Sequence, residues 1–138
     1  MKKGKLIILI IITLILSHPM VAFSKDNAFT LKFNKGKIST TVSNSIIRGD
    51  RDTYYFHSNP GQHISIAVTS LENNAVFELL YKKNEAWVAV EGTQEGEDAR
   101  TWYGKLPESE SNRYGIKVGG TRGNASYELF IGISVVDY

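Results

Sequence analysis

Apolar and polar residues alternate along most of the chain after about residue 28. Several short segments carry an apolar side chain at every second position, the pattern of a strand with one buried face. The clearest are residues 29–33, 54–56, 64–68, 77–81, 88–90, 114–118 and 127–133. Residues 37–47 are rich in Ser, Thr, Val and Ile and predict another, less regular strand. Since no segment keeps helical spacing for three turns, the pattern predicts an all-β protein.

Turn-forming residues separate these segments. Gly, Pro and Asn cluster between them and supply the backbone angles that tight turns need. The turn segments are residues 34–36, 49–51, 59–61, 72–74, 82–84 and 119–124. Eight or nine short strands at this spacing predict a single-domain antiparallel β-sandwich with a jelly-roll-like arrangement.

The N-terminal segment has a different composition. Three lysines within the first five residues precede an apolar run at residues 6–16, and Ala22-Phe23-Ser24 provides a small-x-small cleavage motif. This order is typical of a secretory signal peptide, and the run falls short of the roughly 18 residues that span a bilayer. We therefore expect a signal peptide at 1–24, a β-sandwich domain at 25–138, and a periplasmic or secreted protein.

Removing the signal peptide changes the charge balance. Taking 24 from the 138 residues leaves 114, and losing three of the 16 basic residues leaves 13 against 14 acidic ones, a net charge of −1. A nucleic-acid-binding domain would show clustered basic residues, so we expect no nucleic-acid partner, and no membrane association once the signal is removed. With no cysteine in the chain, packing and sheet hydrogen bonds must stabilise the fold without disulfides.

Residues suited to catalysis or metal binding are sparse. Beyond the signal peptide the only histidines are His57 and His63, and no hydrolase, metalloprotease or nucleotide-binding motif occurs. Asp50-Arg51-Asp52 offers too few oxygen ligands for Ca²⁺, and a turn-closing carboxylate is the favoured role for this segment. The sequence therefore predicts a protein that is not an enzyme and takes no metal or cofactor.

Several short elements of the chain carry a resemblance to a known family. Leu31-Lys32-Phe33-Asn34-Lys35-Gly36 is followed by Asp52-Thr53-Tyr54-x-Phe56 and Gly61-Gln62, and later by Ser111-Asn112-Arg113-Tyr114 and Thr121-Arg122-x-x-Ala125. Together these elements resemble the periplasmic inhibitors of g-type lysozyme and, less closely, their i-type relatives. The first half is also similar to β-sandwich domains of the pre-peptidase C-terminal type.

The resemblance implies a function and a site. Members of this family are small exported β-sandwich proteins that insert a loop with a Ser-Gly-Arg/Lys element into the sugar-binding cleft of lysozyme. For this chain it implies that Ser111, Asn112, Arg113 and Tyr114 contact the cleft, while Thr121 and Arg122 flank or support that loop. Asn112 replaces the usual glycine, but asparagine also tolerates left-handed backbone angles. The position of the tyrosine favours g-type over i-type lysozyme as the partner.

Simpler roles for the same residues remain open. Tyr114 begins an alternating strand and is equally typical of a core residue, and Ser111 can simply shape a turn. Arg113 and Arg122 can be solvated surface charges. The acidic segment 91–98 can steer the approach of a basic lysozyme or be no more than a solvated loop. A homodimer also remains possible.

The alternative function is that of a secreted module that binds peptidoglycan or another polysaccharide. Trp87, Trp102 and Tyr103 can stack on sugar rings if they are exposed, but tryptophans buried in the core would give the same sequence. The two functions differ in one structural expectation. A polysaccharide module needs Trp87 and Trp102 together on one face, whereas an inhibitor needs a protruding 111–114 segment.

Overall fold

The computed structural model describes residues 24–134, so all but the last residue of the predicted signal peptide lies outside the described part. Within these described residues nine strands form two packed sheets, which confirms the predicted β-sandwich. The strands are β1 (Asp26–Thr30), β2 (Ser39–Ile46), β3 (Arg51–His57), β4 (His63–Ser70), β5 (Ala75–Lys83), β6 (Ala86–Ala89), β7 (Thr101–Lys105), β8 (Arg113–Gly120) and β9 (Ala125–Ser134). No helix within residues 24–134 is long and apolar enough to cross a membrane.

The two sheets have five and four strands. The five-stranded sheet has the order β1-β3-β8-β5-β6, and the four-stranded sheet has the order β2-β9-β4-β7. Their pairs are antiparallel, as expected, except that β1 runs parallel to β3 with Asp26 opposite Arg51. Strand β8 lies at the centre of the five-stranded sheet, between β3 and β5. Its two ends therefore lie at opposite ends of the sandwich.

Alternation decides which side chains form the core. The inner face of the five-stranded sheet buries Phe77, Leu79, Ile116 and Val118, and the facing sheet buries Ile64, Ile66, Val68, Leu129 and Ile131. Each such side chain contributes about 1.5–3 kcal/mol relative to an exposed position. The alternation seen in the sequence is thus the signal of two apolar faces packed against each other.

One polar cluster lies within this core. The buried carboxylate of Asp52 accepts hydrogen bonds from the Tyr127 hydroxyl at 2.7 Å and from the Asn27 amide at 2.9 Å. Tyr54 and Tyr127 share a hydrogen bond between their hydroxyls. Burial raises the pKa of Tyr127 well above its ordinary value, and the bonds to Asp52 and Tyr54 add to that shift. The expectation that an aspartate here closes a turn is corrected, because Asp52 is satisfied by side chains and Asp50 accepts the N–H of Lys25.

Two strands differ from the sequence pattern. Strand β1 ends at Thr30, although the alternation continues to Phe33. Strand β7, Thr101–Lys105, was not expected, because its apolar alternation is broken at Gly104. The ring of Trp102 covers that glycine, where an added Cβ would lie 2.9 Å from the indole. Glycine is therefore needed at this position for Trp102 to lie flat along its own strand.

Candidate partner-binding site

The segment between β7 and β8 forms an exposed loop at one end of the sandwich. Ser111, Asn112 and Arg113 are all exposed at its tip, where the chain makes a short 3₁₀ turn before β8 begins. The backbone is left-handed at both Ser111 (φ 56°) and Asn112 (φ 52°). The expectation that Asn112 takes the conformation usual for glycine is confirmed. Two successive left-handed residues turn the chain sharply and display their side chains outward.

Hydrogen bonds fasten this loop to the β5–β6 hairpin and to the segment that follows β3. The Ser109 hydroxyl accepts the N–H of Lys82 at 2.7 Å and donates to the carbonyl of Arg113. The Glu110 carboxylate accepts the N–H of Glu85, at 3.0 and 3.1 Å from its two oxygens. The Asn112 carbonyl accepts the N–H of Ser58 at 3.0 Å. The loop is therefore held in one conformation without using the side chains of Ser111 or Arg113.

Tyr114 lies below the loop and is fully buried. Its ring stacks on Phe56 at 5.6 Å between centroids, and its hydroxyl donates to the carbonyl of Pro107 at 2.6 Å. Burial raises the pKa of Tyr114, and the nearby charge of Glu108 adds to the shift. The assignment of Tyr114 as a contact residue is therefore corrected: its side chain is a core residue that supports the loop from inside.

Arg113 is the charged residue that the loop displays. Its guanidinium carbon lies 4.4 Å from the centroid of the Tyr55 ring and 5.8 Å from that of Trp87. Within residues 24–134 the guanidinium forms no ion pair; the one ion pair found there joins Lys117 to Glu78 at 3.1 Å. Five N–H donors in a planar fork are suited to bidentate binding of a carboxylate.

Thr121 and Arg122 lie elsewhere. They follow the last residue of β8, and eight residues at about 3.3 Å each place them roughly 25 Å from Arg113. The Arg122 guanidinium donates to the carbonyl of Glu72 at 3.1 Å, and the N–H of Thr121 donates to the carbonyl of Asn74 at 2.8 Å. The expectation that Thr121 and Arg122 flank the 111–114 loop is corrected, because the whole length of β8 separates them from it.

The aromatic residues of the alternative function do not share a surface. Trp87 lies on the outer face of the five-stranded sheet, in register with Lys82. Trp102 pairs with Ile66 in the other sheet and packs against the core. Tyr103 is exposed on the outer face of that second sheet, 6.1 Å from the ring of His63. A sugar-binding surface formed by Trp87 and Trp102 together is therefore excluded by the fold.

The acidic segment 91–98 runs beside the five-stranded sheet. Its anchor is the buried Thr93, whose hydroxyl accepts the N–H of Leu79 at 2.9 Å and donates to the carbonyl of Val90 at 2.8 Å. Part of the segment lines a groove of about 370 Å³ with Arg51 and Lys117. The groove lies on the same outer face as Trp87, towards the Thr121 end of β8. Within residues 24–134, no three His, Asp or Glu side chains come together as metal ligands would.

Solved structures with similar folds are known, although no protein-family model and no curated protein matches the sequence. The periplasmic inhibitor of g-type lysozyme from Aeromonas hydrophila superposes with a TM-score of 0.62 and 21% identity, over 81% of this chain and 100% of the other. The periplasmic inhibitor of g-type lysozyme from Salmonella Typhimurium superposes with a TM-score of 0.59 and 23% identity, over 78% of this chain and 98% of the other.

A pre-peptidase C-terminal domain of a collagenase from Bacillus anthracis is also similar, with a TM-score of 0.52 and 19% identity over 80% of this chain and 98% of the other. Both resemblances drawn from the sequence are thereby confirmed at the level of the fold. At these identities the likeness defines the β-sandwich class, and the function must be argued from the site.

Proposed function

We propose that this protein is a periplasmic or secreted inhibitor of lysozyme, of the g-type rather than the i-type, and that it acts without catalysis or a cofactor. The observation that carries the proposal is the exposed Arg113 on a loop already fastened by Ser109 and Glu110. The fold shared with inhibitors of g-type lysozyme adds support.

The proposed mechanism is occlusion of the active-site cleft. Glycoside hydrolases of this kind work through carboxylates beside the scissile bond. The Arg113 guanidinium would donate two parallel hydrogen bonds to such a carboxylate, which are stronger than bonds between neutral groups. The exposed hydroxyl of Ser111 would occupy the place of a sugar hydroxyl. A loop that is already ordered loses little conformational freedom on binding, so more of the contact energy appears as affinity.

The contact set is smaller than the sequence implied. It consists of Ser111, Asn112 and Arg113, which are exposed together at one end of the sandwich. Tyr114 supports this set from the core, and Thr121 and Arg122 are left out because they lie at the other end of β8. None of these three side chains takes part in the hydrogen bonds that fasten the loop.

A polysaccharide-binding module remains the second candidate, on the strength of one observation. Tyr55 and Trp87 lie beside each other on an outer face, with ring centroids 5.4 Å apart. Aromatic rings on a sheet face are a common platform for sugars. Trp102 packs against the core, so it cannot contribute a second ring to such a sugar-binding surface.

The test is an inhibition assay with purified residues 25–138 against g-, i- and c-type lysozymes, together with sedimentation on insoluble peptidoglycan. We expect inhibition of the g-type enzyme at near-stoichiometric concentration, weaker or no effect on the other two, and no sedimentation without enzyme. Retention on peptidoglycan with no inhibition of any lysozyme would replace the inhibitor by the polysaccharide module.

A further inference from the structure

An aromatic pair crosses two strands on the outer face of the five-stranded sheet. Tyr55 lies on β3 and Trp87 on β6, with β8 and β5 between them. Their ring centroids are nevertheless only 5.4 Å apart, and their planes are inclined by 42°. The two rings therefore lean towards each other over the intervening strands. We call Tyr55 and Trp87 the aromatic shelf.

Gly115 explains how the two rings meet. It is the residue of β8 directly opposite Tyr55, and an added Cβ would lie only 3.3 Å from the Tyr55 ring. Any larger side chain would occupy the space that the ring uses to reach across β8. Tyr114 thus fills the inner face of the sheet, while its neighbour Gly115 leaves room on the outer face for the Tyr55 ring.

Two cations lie against the shelf. The Arg113 guanidinium is 4.4 Å from the Tyr55 centroid, and the Lys82 ammonium is 5.8 Å from the Trp87 ring. The strand register explains the geometry, because Tyr81 is opposite Tyr114 and so Lys82 is the neighbour of Arg113. Aromatic faces attract such cations. With its faces occupied by cations, the shelf is poorly suited to stacking a neutral sugar ring.

We propose that Tyr55 and Trp87 are positioning residues for Arg113, and that the group they prepare it to bind is a carboxylate in the cleft of its protein partner. The stacked guanidinium loses freedom before binding, while the N–H groups at its edge stay available to an approaching carboxylate. The inference rests on the proposed function for the identity of that partner, but the free protein already contains the arrangement itself.

The first experiment concerns the free protein. The Arg113 Nε–H proton signal should be shifted upfield by the ring current in the wild type and in Tyr55→Phe, which keeps the ring. The shift should be clearly smaller in Tyr55→Leu and also in Gly115→Val, which displaces the Tyr55 ring without a substitution at residue 55. Tyr103→Leu, an exposed aromatic of the other sheet, is the matched control. An unchanged Arg113 signal in Tyr55→Leu or Gly115→Val would overturn the proposal.

The second experiment measures inhibition of g-type lysozyme by the same variants. Tyr55→Leu should raise the inhibition constant about 2- to 5-fold, the size expected for an exposed cation–π contact, and Tyr55→Phe should restore it. In an Arg113→Ala background Tyr55→Leu should have no further effect. An undiminished effect in that background would mean that Tyr55 contacts the partner itself, and would overturn the positioning role.

The two proposals fail in different ways. If the wild type inhibits no lysozyme, the proposed function fails, while the proton signals of the free protein still decide whether the shelf holds Arg113. If inhibition is strong but the signals show no ring current, the function stands and the shelf is wrong.

Discussion

The two ends of strand β8 carry the same kind of residue in opposite situations. Arg113 is the first residue of the strand and Arg122 lies two residues beyond its end, and both are exposed. The Arg122 guanidinium is used within the protein, since it donates to the carbonyl of Glu72. The Arg113 guanidinium rests against the rings of Tyr55 and Trp87, and within residues 24–134 it forms no ion pair. Exposure alone therefore does not distinguish the arginine that we propose as the partner-binding residue.

The turns beside these arginines differ in the same way. At the Arg122 end a buried amide, that of Asn74, donates to the carbonyls of Arg122 and Asn124 at 3.1 and 3.0 Å. That exposed turn is fastened to the fold by a buried side chain. At the Arg113 end the fastening side chains are those of Ser109 and Glu110, and the side chains of the tip residues 111–113 form none of the hydrogen bonds that fasten the loop. One turn closes the fold, and the other presents side chains to solvent.

The largest expected effect on stability is at Tyr114, which supports the Arg113 end of β8 from the core. Tyr114→Ala removes a fully buried ring and should lower the free energy of unfolding by about 3–5 kcal/mol, and the loss of the Pro107 bond should loosen the loop. Tyr114→Phe, which loses only the hydroxyl, should cost about 1 kcal/mol. Chemical denaturation measures both. A small effect of Tyr114→Ala would mean that the ring is not a core element.

Asn74→Ala sharpens the comparison from the other end. It leaves two turn carbonyls without their donor and should lower the free energy of unfolding by about 1–3 kcal/mol. Inhibition by the protein that remains folded should be unchanged, because the Arg122 turn lies about 25 Å from the loop. The check is an inhibition constant measured well below the melting midpoint. A raised constant would show that the Arg122 end takes part in binding.

The polar cluster between the two ends gives a pH dependence. Burial raises the pKa of Tyr127 above the ordinary value of 10.0, so above pH 10 the unfolded state releases a proton that the folded state retains. The stabilisation that Tyr127 contributes is therefore fully present below pH 10. Above pH 10 this tyrosine should lower the free energy of unfolding by about 1.4 kcal/mol per pH unit. Tyr127→Phe should be less stable at pH 7 but show a shallower decline. The measurement is the free energy of unfolding of both proteins between pH 9 and 11. An equal decline in the wild type and in Tyr127→Phe would contradict this assignment.

The sandwich was predictable from the sequence because alternation reports directly on burial. Residues 64–68 and 127–133 show the pattern plainly, and both became strands with one face in the core. Strand β7 was missed because Gly104 interrupts its pattern and because Trp102 covers the gap from within the same strand. Local patterns predict a strand well when apolar residues alternate regularly along its buried face. They predict it poorly when one large ring covers a neighbouring position that lacks an apolar side chain.

The site was predictable only in part. The left-handed backbone at Asn112 follows from the residue type, and Arg113 was identified through a resemblance. The shelf could not be found in the sequence, because Tyr55 and Trp87 are 32 positions apart and meet only through strand register and the absence of a side chain at Gly115. The separation of Thr121 and Arg122 from the loop, in contrast, follows from the strand that the alternation at 114–118 already predicted, since β8 lies between them.

The most direct test of the account compares Arg113→Ala with Arg122→Ala in the inhibition of g-type lysozyme, with melting midpoints as the control for folding. Removing one partner of a desolvated charge pair costs about 2–5 kcal/mol, which corresponds to roughly 30-fold or more in affinity. We predict a loss of this size for Arg113→Ala with a nearly unchanged midpoint, and no measurable loss for Arg122→Ala. Equal inhibition by wild type and Arg113→Ala, or a larger loss for Arg122→Ala, would contradict the account.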